Sequence, residues 1–187
     1  MNRKGKLFVV AAPSGAGKTT IVKHIRKTFP ELVFSVSATT RKKRDIETHG
    51  VDYFFLTEDE FKKKRDDNEF VEWEKFYGYY YGTLKSFIDD NLTNGKSVIF
   101  DIDVKGAVSI KKVYPEAILV FIAPPSKEDL KQRLISRNTE TDEDLQKRIE
   151  RSEMELEYKD KFDVVVINDV LEKAKKEVEE LIEKEYK

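Results

Sequence analysis

The sequence predicts an α/β fold, with a parallel central sheet covered by helices on both faces. Two observations carry this. Short runs rich in Val, Ile, Leu and Phe, at Leu7–Ala11, Leu32–Val36, Ser97–Phe100, Ile118–Ala123 and Val164–Ile167, alternate with longer amphipathic stretches. The first of these runs leads directly into a glycine-rich turn that opens the first helical stretch. Apolar runs without polar alternation read as strands buried on both faces. Strand and helix in alternation make the sheet parallel, and ligands of such sheets sit at the carboxyl ends of the strands.

The helical patterns cover Lys18–Lys27, Leu84–Asn94, Val104–Val113, Lys127–Ser136, Glu143–Tyr158 and Leu171–Glu185. Ser126 before "KEDL" and Thr141 before "DEDL" are N-cap residues, each with a carboxylate three residues on. Two segments break the rhythm. Residues 37–83 hold a basic loop, a strand at Tyr53–Leu56, a short helix capped by Thr57 and the stretch "EFVEWEKFYGYYYGT". The aromatics, with Gly78 and Gly82, predict a small antiparallel sheet with turns, and Trp73 and Phe76 are expected in its own core. The second break, Arg137–Asp142, is polar, lies between two helices and is the expected hinge of a flap.

Length and composition set the outer limits. A chain of 187 residues suits one compact domain with a core of its own. No apolar run approaches the roughly 20 residues that span a bilayer. The run after the basic N-terminal residues is shorter than the apolar region of about 7–15 residues in a secretory signal. With 35 basic and 36 acidic residues, no overall positive field points to nucleic acid. Without cysteine there is no disulfide framework and no thiolate zinc site. A cytoplasmic protein without nucleic-acid or membrane partners is expected. No heptad seam or apolar patch sets its oligomeric state.

The stretch "LFVVAAPSGAGKTT" carries the first chemistry. It has strand, loop and helix start in the order required of a loop that wraps a nucleotide phosphate, which makes the fold a three-layer one of the P-loop NTPase type. Backbone N–H groups of Ser14, Gly15, Ala16, Gly17 and Lys18 and the partial charge of a helix N-terminus favour an anion, with Thr19 and Thr20 completing the expected ATP-binding stretch. Lys18 reaches the terminal phosphates and the Thr19 hydroxyl ligates Mg²⁺. One departure stands out: Ala12 occupies the first glycine position of G-x-x-x-x-G-K-[ST], which is tolerable only if the backbone there needs no positive φ. In "SVIFDID", apolar strand residues end at Asp101, whose carboxylate emerges beside the loop to orient magnesium-bound water.

Three constellations bear on a second phosphate. In "SATTRKKR", Arg41 and Arg44 stand three apart among the hydroxyls of Ser37, Thr39 and Thr40, and arginine forks grip phosphate oxygens. In "EFVEWEKFYGYYYGT", tyrosine hydroxyls can donate to phosphate. A glutamate there suits guanine, whose N1–H and N2–H₂ form a pair of adjacent donors that adenine, cytosine and uracil lack. In "RLISRNTE" and "KRIER", Arg133, Arg137 and Arg148 lie on or beside the flap and can stabilise charge on a transferring phosphoryl group. Each arginine has a plainer reading as a helix-surface ion pair.

Together "FSVSATTR", "GVDYFF", "EFVEW", "YYGT", "DIDVKG", "IAPPS" and "RNTET" resemble the guanylate kinase family, nucleoside monophosphate kinases that convert GMP and ATP into GDP and ADP. The resemblance runs from the phosphate loop to "VVVINDVL". It implies a single domain over 1–187: a core of 1–36, 84–125 and 159–187, a small mixed α/β GMP-binding insertion over 37–83 and a helical lid over 126–158. By matched motif positions, the resemblance gives Lys18, Thr19 and the loop around them to ATP and Mg²⁺. It gives Arg41, Arg44, Tyr53 and Tyr81 to the GMP phosphate, and Ser37, Glu72, Thr83 and Asp103 to guanine. Arg137 and Arg148 go to the ATP phosphates, Arg133 is counted with the ATP-binding residues, and Asn168 goes to the vicinity of adenine. Lys18, Arg41, Arg137 and Arg148 are the expected catalytic group, and Thr19 with Asp101 the metal ligands. Departures are Lys43 for a common proline, which is expected to loosen the arginine loop, Thr83 for serine, Asn138 for glycine and Lys105 for glutamine. The retained loop sets the chain apart from kinase-like binding modules, which the resemblance describes as keeping the fold and losing the loop.

Overall fold

The computed structural model describes residues 5–76, 78–136 and 142–186. Its strands are β1 (Leu7–Ala11), β2 (Val33–Phe34), β3 (Ala38–Thr39), β4 (Phe54–Phe55), β5 (Phe70–Phe76), β6 (Tyr79–Leu84), β7 (Val98–Asp101), β8 (Ile118–Ala123) and β9 (Val164–Ile167). Its helices are α1 (Lys18–Thr28), α2 (Glu58–Asp66), α3 (Lys85–Thr93), α4 (Val104–Val113), α5 (Lys127–Ile135), α6 (Asp142–Leu156) and α7 (Leu171–Tyr186).

The main sheet has the order β2-β7-β1-β8-β9, with every pairing parallel. All five residues of β1 are buried, because it is the central strand and both of its faces are covered. Alternation sorts the core in two. Phe8 and Val10 pack with Ile99, Val120 and Ile122 under α1 and α7, through Ile25 and Val178. Leu7, Val9 and Ala11 pack with Phe100, Leu119 and Phe121 under α3 and α4, through Ile88 and Ile110. Each of the Val, Leu, Ile and Phe side chains among these contributes about 1.5–3 kcal/mol by leaving water. The carboxyl ends of β1 and β7 thereby stand side by side, with Val10 opposite Asp101.

The smaller sheet, in the order β4-β3-β6-β5, is mixed rather than purely antiparallel: β3 and β4 run parallel, while the other pairs are antiparallel. Phe61 of α2 is fully buried beneath it, stacked on Phe70 at 4.3 Å and Tyr80 at 5.3 Å between ring centroids. Thr57 starts α2 with a reciprocal cap, its hydroxyl accepting from Glu60 N–H and its own N–H donating to Glu60 Oε2 at 2.7 Å. Two expectations change here. Trp73 is 46% exposed, at the rim of the Phe61 cluster with Arg65 over its ring, because Phe61, Phe70 and Tyr80 already fill the interior. Gly82 is not a turn residue but lies inside β6, where a Cβ would stand 2.9 Å from the Glu72 carbonyl and 3.0 Å from Trp73 Cβ. The Phe76 side chain lies outside what is described, as does Thr141, the expected cap of α6. Ser126 does cap α5, its hydroxyl accepting from Asp129 N–H at 3.0 Å. Among the described residues no helix is long and apolar enough to cross a membrane.

Candidate active site

The turn from β1 to α1 is built for an anion. Gly17 takes the N-cap position of α1 at φ 98°, and no side chain caps the helix, so its first N–H groups are left for a ligand. Only glycine fits there: a Cβ would collide with Nδ2 of Asn168 as well as adopt a disfavoured φ. Ala12 needs no such freedom. Among the described residues only Asn68 combines a side chain with positive φ, so the missing first glycine leaves the loop intact.

Lys18 Nζ lies 2.7 Å from Asp101 Oδ1 and donates to the Ile102 carbonyl at 2.7 Å, which brings the loop lysine and the strand-end carboxylate together as expected. Thr19 and Thr20 are exposed at the helix start. Asn168, buried at the end of β9, donates Nδ2–H to the Ala16 carbonyl at 2.7 Å, and Arg133 Nη2 donates to the Asn168 carbonyl at 2.8 Å. Both residues therefore brace the phosphate loop from behind.

Helix α6 lies over the front of the loop. Arg148 Nε donates to Ser14 Oγ at 2.9 Å, and the fully buried Ser152 donates to the Ser14 carbonyl at 3.4 Å. Glu155, which the sequence did not single out, accepts the Ser14 N–H at 3.3 Å and is held by Arg151 Nε at 3.0 Å. Arg151 also reaches Glu74 of β5, at 3.7 Å. Loop and helix enclose a cleft of ≈ 920 Å³ in which the cations Lys18, Lys75, Lys147, Arg148 and Arg151 outnumber the carboxylates Asp103, Asp144 and Glu155. Such a lining suits a polyanion. Arg137 and Asn138 lie outside the described residues.

The smaller sheet builds the other half. The register of β5 against β6 passes from Phe70–Leu84 to Glu72–Thr83, so Val71 is an extra residue, a bulge. Facing residues share a side of the sheet, so the bulge turns Glu72 onto the face opposite Phe70. Glu72, Glu74, Tyr81 and Thr83 consequently share one face, and Phe70, Trp73 and Tyr80 the other. Thr83 donates to Glu72 Oε1 at 2.6 Å. Burial pushes the Glu72 carboxyl up to about 7 against the pull of that bond, with Asp103 and Glu74 adding repulsion. Glu74 is raised by burial and by Asp103.

Asp103 is the N-cap of α4, with Oδ1 accepting from Lys105 N–H at 2.8 Å and Gly106 N–H at 2.9 Å. It lines both the large cleft and a pocket of ≈ 360 Å³ formed by Glu72, Glu74, Lys105 and Gly106. The two cavities therefore meet at Asp103. Lys105 stands among these carboxylates and draws Glu74 toward its ionised form.

The basic loop is more ordered than expected. Arg41 donates from Nη2 to Glu47 Oε1 at 2.6 Å and from Nη1 to Glu47 Oε2 at 3.0 Å. Its guanidinium carbon lies 5.3 Å from the centre of the Tyr53 ring, and Tyr53 and Tyr81 rings are 6.2 Å apart. Lys43, expected to loosen the loop, donates to the Glu47 carbonyl at 2.7 Å. Arg44 projects into solvent while its N–H donates to Glu47 Oε2 at 2.7 Å. Ser37 is half-buried at the start of the segment.

The guanylate kinase family model matches residues 4–185. The chain belongs to the guanylate kinase family. It is 47% identical over 182 residues to the guanylate kinase of Thermotoga maritima, an alignment covering 97% of this chain and 88% of that one. It is 46% identical over 175 residues to the guanylate kinase of Chlorobium luteolum, covering 93% and 89%. The crystal structure of guanylate kinase from Anaplasma phagocytophilum superposes with a TM-score of 0.71 at 26% identity, covering 97% of this chain and 86% of that one. The parallel five-stranded sheet with a small mixed sheet thus sits within the guanylate kinase fold.

Proposed function

We infer that this chain is a guanylate kinase that moves the γ-phosphoryl group of ATP to GMP, giving ADP and GDP. The observation that carries this is a pair of joined cavities. One holds an uncapped phosphate loop with Lys18, the other a partly buried carboxylate, Glu72, and Asp103 borders both. A carboxylate in its ionised form accepts the two adjacent donors of guanine and offers other bases no matching partner.

In this reading the loop residues Ser14 to Thr20 and Arg148 bind ATP, with Arg137 assigned beside them. Arg41, Arg44, Tyr53 and Tyr81 take the GMP phosphate, and Ser37, Glu72, Thr83 and Asp103 the base. Residues 37–83 form the GMP-binding segment, 126–158 the lid and the remainder the core. A GMP phosphate oxygen attacks the γ-phosphorus in line, forming one P–O bond as the bond to the β-phosphate oxygen breaks. The attacking oxygen is already anionic, so no base is needed. Lys18 and the arginines align two polyanions and spread the transferring charge. Arg133 and Asn168 act by bracing the loop rather than by touching the nucleotide.

Among the described residues there is no cluster of three or more metal-ligating side chains. The exposed Thr19 hydroxyl and the Asp101 carboxylate are hard oxygen donors and suit a Mg²⁺ that keeps waters and phosphate oxygens as its other ligands. They would hold such an ion, which neutralises phosphate charge when bound.

Glu72→Ala tests the base assignment. KM for GMP rises tenfold or more while KM for ATP holds, and the preference for GMP over AMP narrows. Wild-type GMP affinity and selectivity in that variant overturn the assignment.

A further inference from the structure

The sequence motifs do not account for Glu47, yet the arginine loop is organised around it. Its two carboxylate oxygens take Nη1–H and Nη2–H of Arg41, and Oε2 takes the Arg44 N–H as well. Its carbonyl accepts from Lys43 Nζ, and its N–H closes a turn onto the Arg44 carbonyl at 3.0 Å. The side chain is 12% exposed, and the Arg41 side chain 16%. Arg41 and the Arg44 N–H hold the Glu47 carboxyl down to about 2, so it is ionised throughout the neutral range.

A guanidinium carries five N–H donors in a fixed fork. Glu47 takes two, and the Lys42 carbonyl takes the other Nη1 hydrogen at 2.9 Å. The donors they leave are Nε–H and the second Nη2–H, a parallel pair on the opposite edge, of the spacing that suits two phosphate oxygens. Tyr53 and Tyr81 also hydrogen-bond the Arg41 side chain, so a phosphate arriving on this edge would share or take over donors that now meet the tyrosine hydroxyls. A long side chain fixed in this way spends less rotamer freedom when it binds an anion.

We propose that Glu47 is a positioning residue for phosphoryl transfer: it clamps one edge of the Arg41 guanidinium and so presents the other edge to the phosphate of GMP. This rests on the assignment of Arg41 to that phosphate. The opposite role, a carboxylate that competes with phosphate for Arg41, predicts the reverse sign in the same experiment.

The test compares Glu47→Gln with wild type by measuring Kd for GMP and for guanosine, which lacks the phosphate, together with KM for ATP. The amide accepts one arginine donor and turns its own N–H₂ toward another, so the clamp is lost at constant size. GMP binding is expected to weaken tenfold or more, with guanosine affinity and KM for ATP unchanged. Glu47→Asp, which keeps the charge on a shorter arm, recovers part of the loss. Tighter or unaltered GMP binding overturns the proposal. So does an equal loss for GMP and guanosine, which marks a general structural role. Arg41→Ala separates the two levels. If it loses GMP affinity and Glu47→Gln does not, the positioning role alone fails. If it keeps GMP affinity, the phosphate assignment fails with it.

Discussion

Lys18, at the start of α1, and Asp101, at the carboxyl end of β7, form an ion pair, Nζ to Oδ1 at 2.7 Å. The lysine is held at the mouth of the phosphate loop by this carboxylate and by the Ile102 carbonyl, so its ammonium is aimed before any phosphate arrives. Preorganised charge of this kind is most effective in the transition state. Lys18→Ala is expected to lower kcat by roughly 10²–10³-fold, read as ADP formation at saturating substrates. Lys18→Arg recovers little, since a planar fork does not replace a compact ammonium in a tight loop. A rate within threefold of wild type for Lys18→Ala contradicts this placement.

In the proposed role, the partly buried Glu72 carboxyl makes guanine binding depend on pH. Its folded value near 7 lies above the ordinary 4.5, so the folded protein holds this proton more tightly than the unfolded chain. Burial of the side chain therefore costs nothing extra at low pH and destabilises progressively as pH rises from about 4.5 to about 7. Guanine needs the ionised form, so its binding runs the other way. Guanosine affinity is expected to rise with pH, by roughly tenfold per unit below about 7, and to level off above it. Guanosine is the probe because the phosphate of GMP titrates near 6 itself. Glu72→Gln flattens the profile. A wild-type affinity that is constant from pH 5.5 to 8 contradicts the account.

In the proposed reading Asn168 supports ATP binding through the phosphate loop it braces. Its buried amide donates to the Ala16 carbonyl and fills the space that a Cβ on Gly17 would need. Asn168→Ala leaves that carbonyl unpaired, at a cost of about 1–3 kcal/mol. A melting temperature lower by ~5 °C is expected for a chain of this size. KM for ATP rises while KM for GMP holds, because the loop and not the small sheet loses its support. Equal effects on both substrates in steady-state kinetics argue against the brace.

Most of the main sheet was legible in the sequence because its strands are buried on both faces. The ends of β1, β8 and β9 and of α4 fall where the apolar runs and helical pattern stop. The run Leu32–Val36 shortens to Val33–Phe34, since an edge strand has a neighbour on one side only. Motifs singled out Lys18, Asp101, Arg41 and Glu72 as candidates because phosphate and base recognition tie residue type to spacing. Glu47 and Glu155 escaped, for a single acid in a loop or on a charged helix has no pattern of its own. Glu155 meets Ser14 141 residues away in the chain, a distance local periodicity cannot bridge. The bulge at Val71 escaped for a related reason. In "EFVEW" plain alternation puts Phe70 and Glu72 on one face, and only the register against β6 reveals that they part. Asn168 was expected near adenine; its buried contact to the Ala16 carbonyl, 152 residues away in the chain, was not legible in the sequence.

The central claim is phosphoryl transfer from ATP to GMP, with the base chosen by Glu72. Its most direct test is ADP formation from ATP and Mg²⁺ with GMP, AMP, CMP and UMP offered separately. Turnover with GMP, and rates at least a hundredfold lower with the other three, is the predicted result. Comparable rates with another monophosphate, or none with GMP, contradict it.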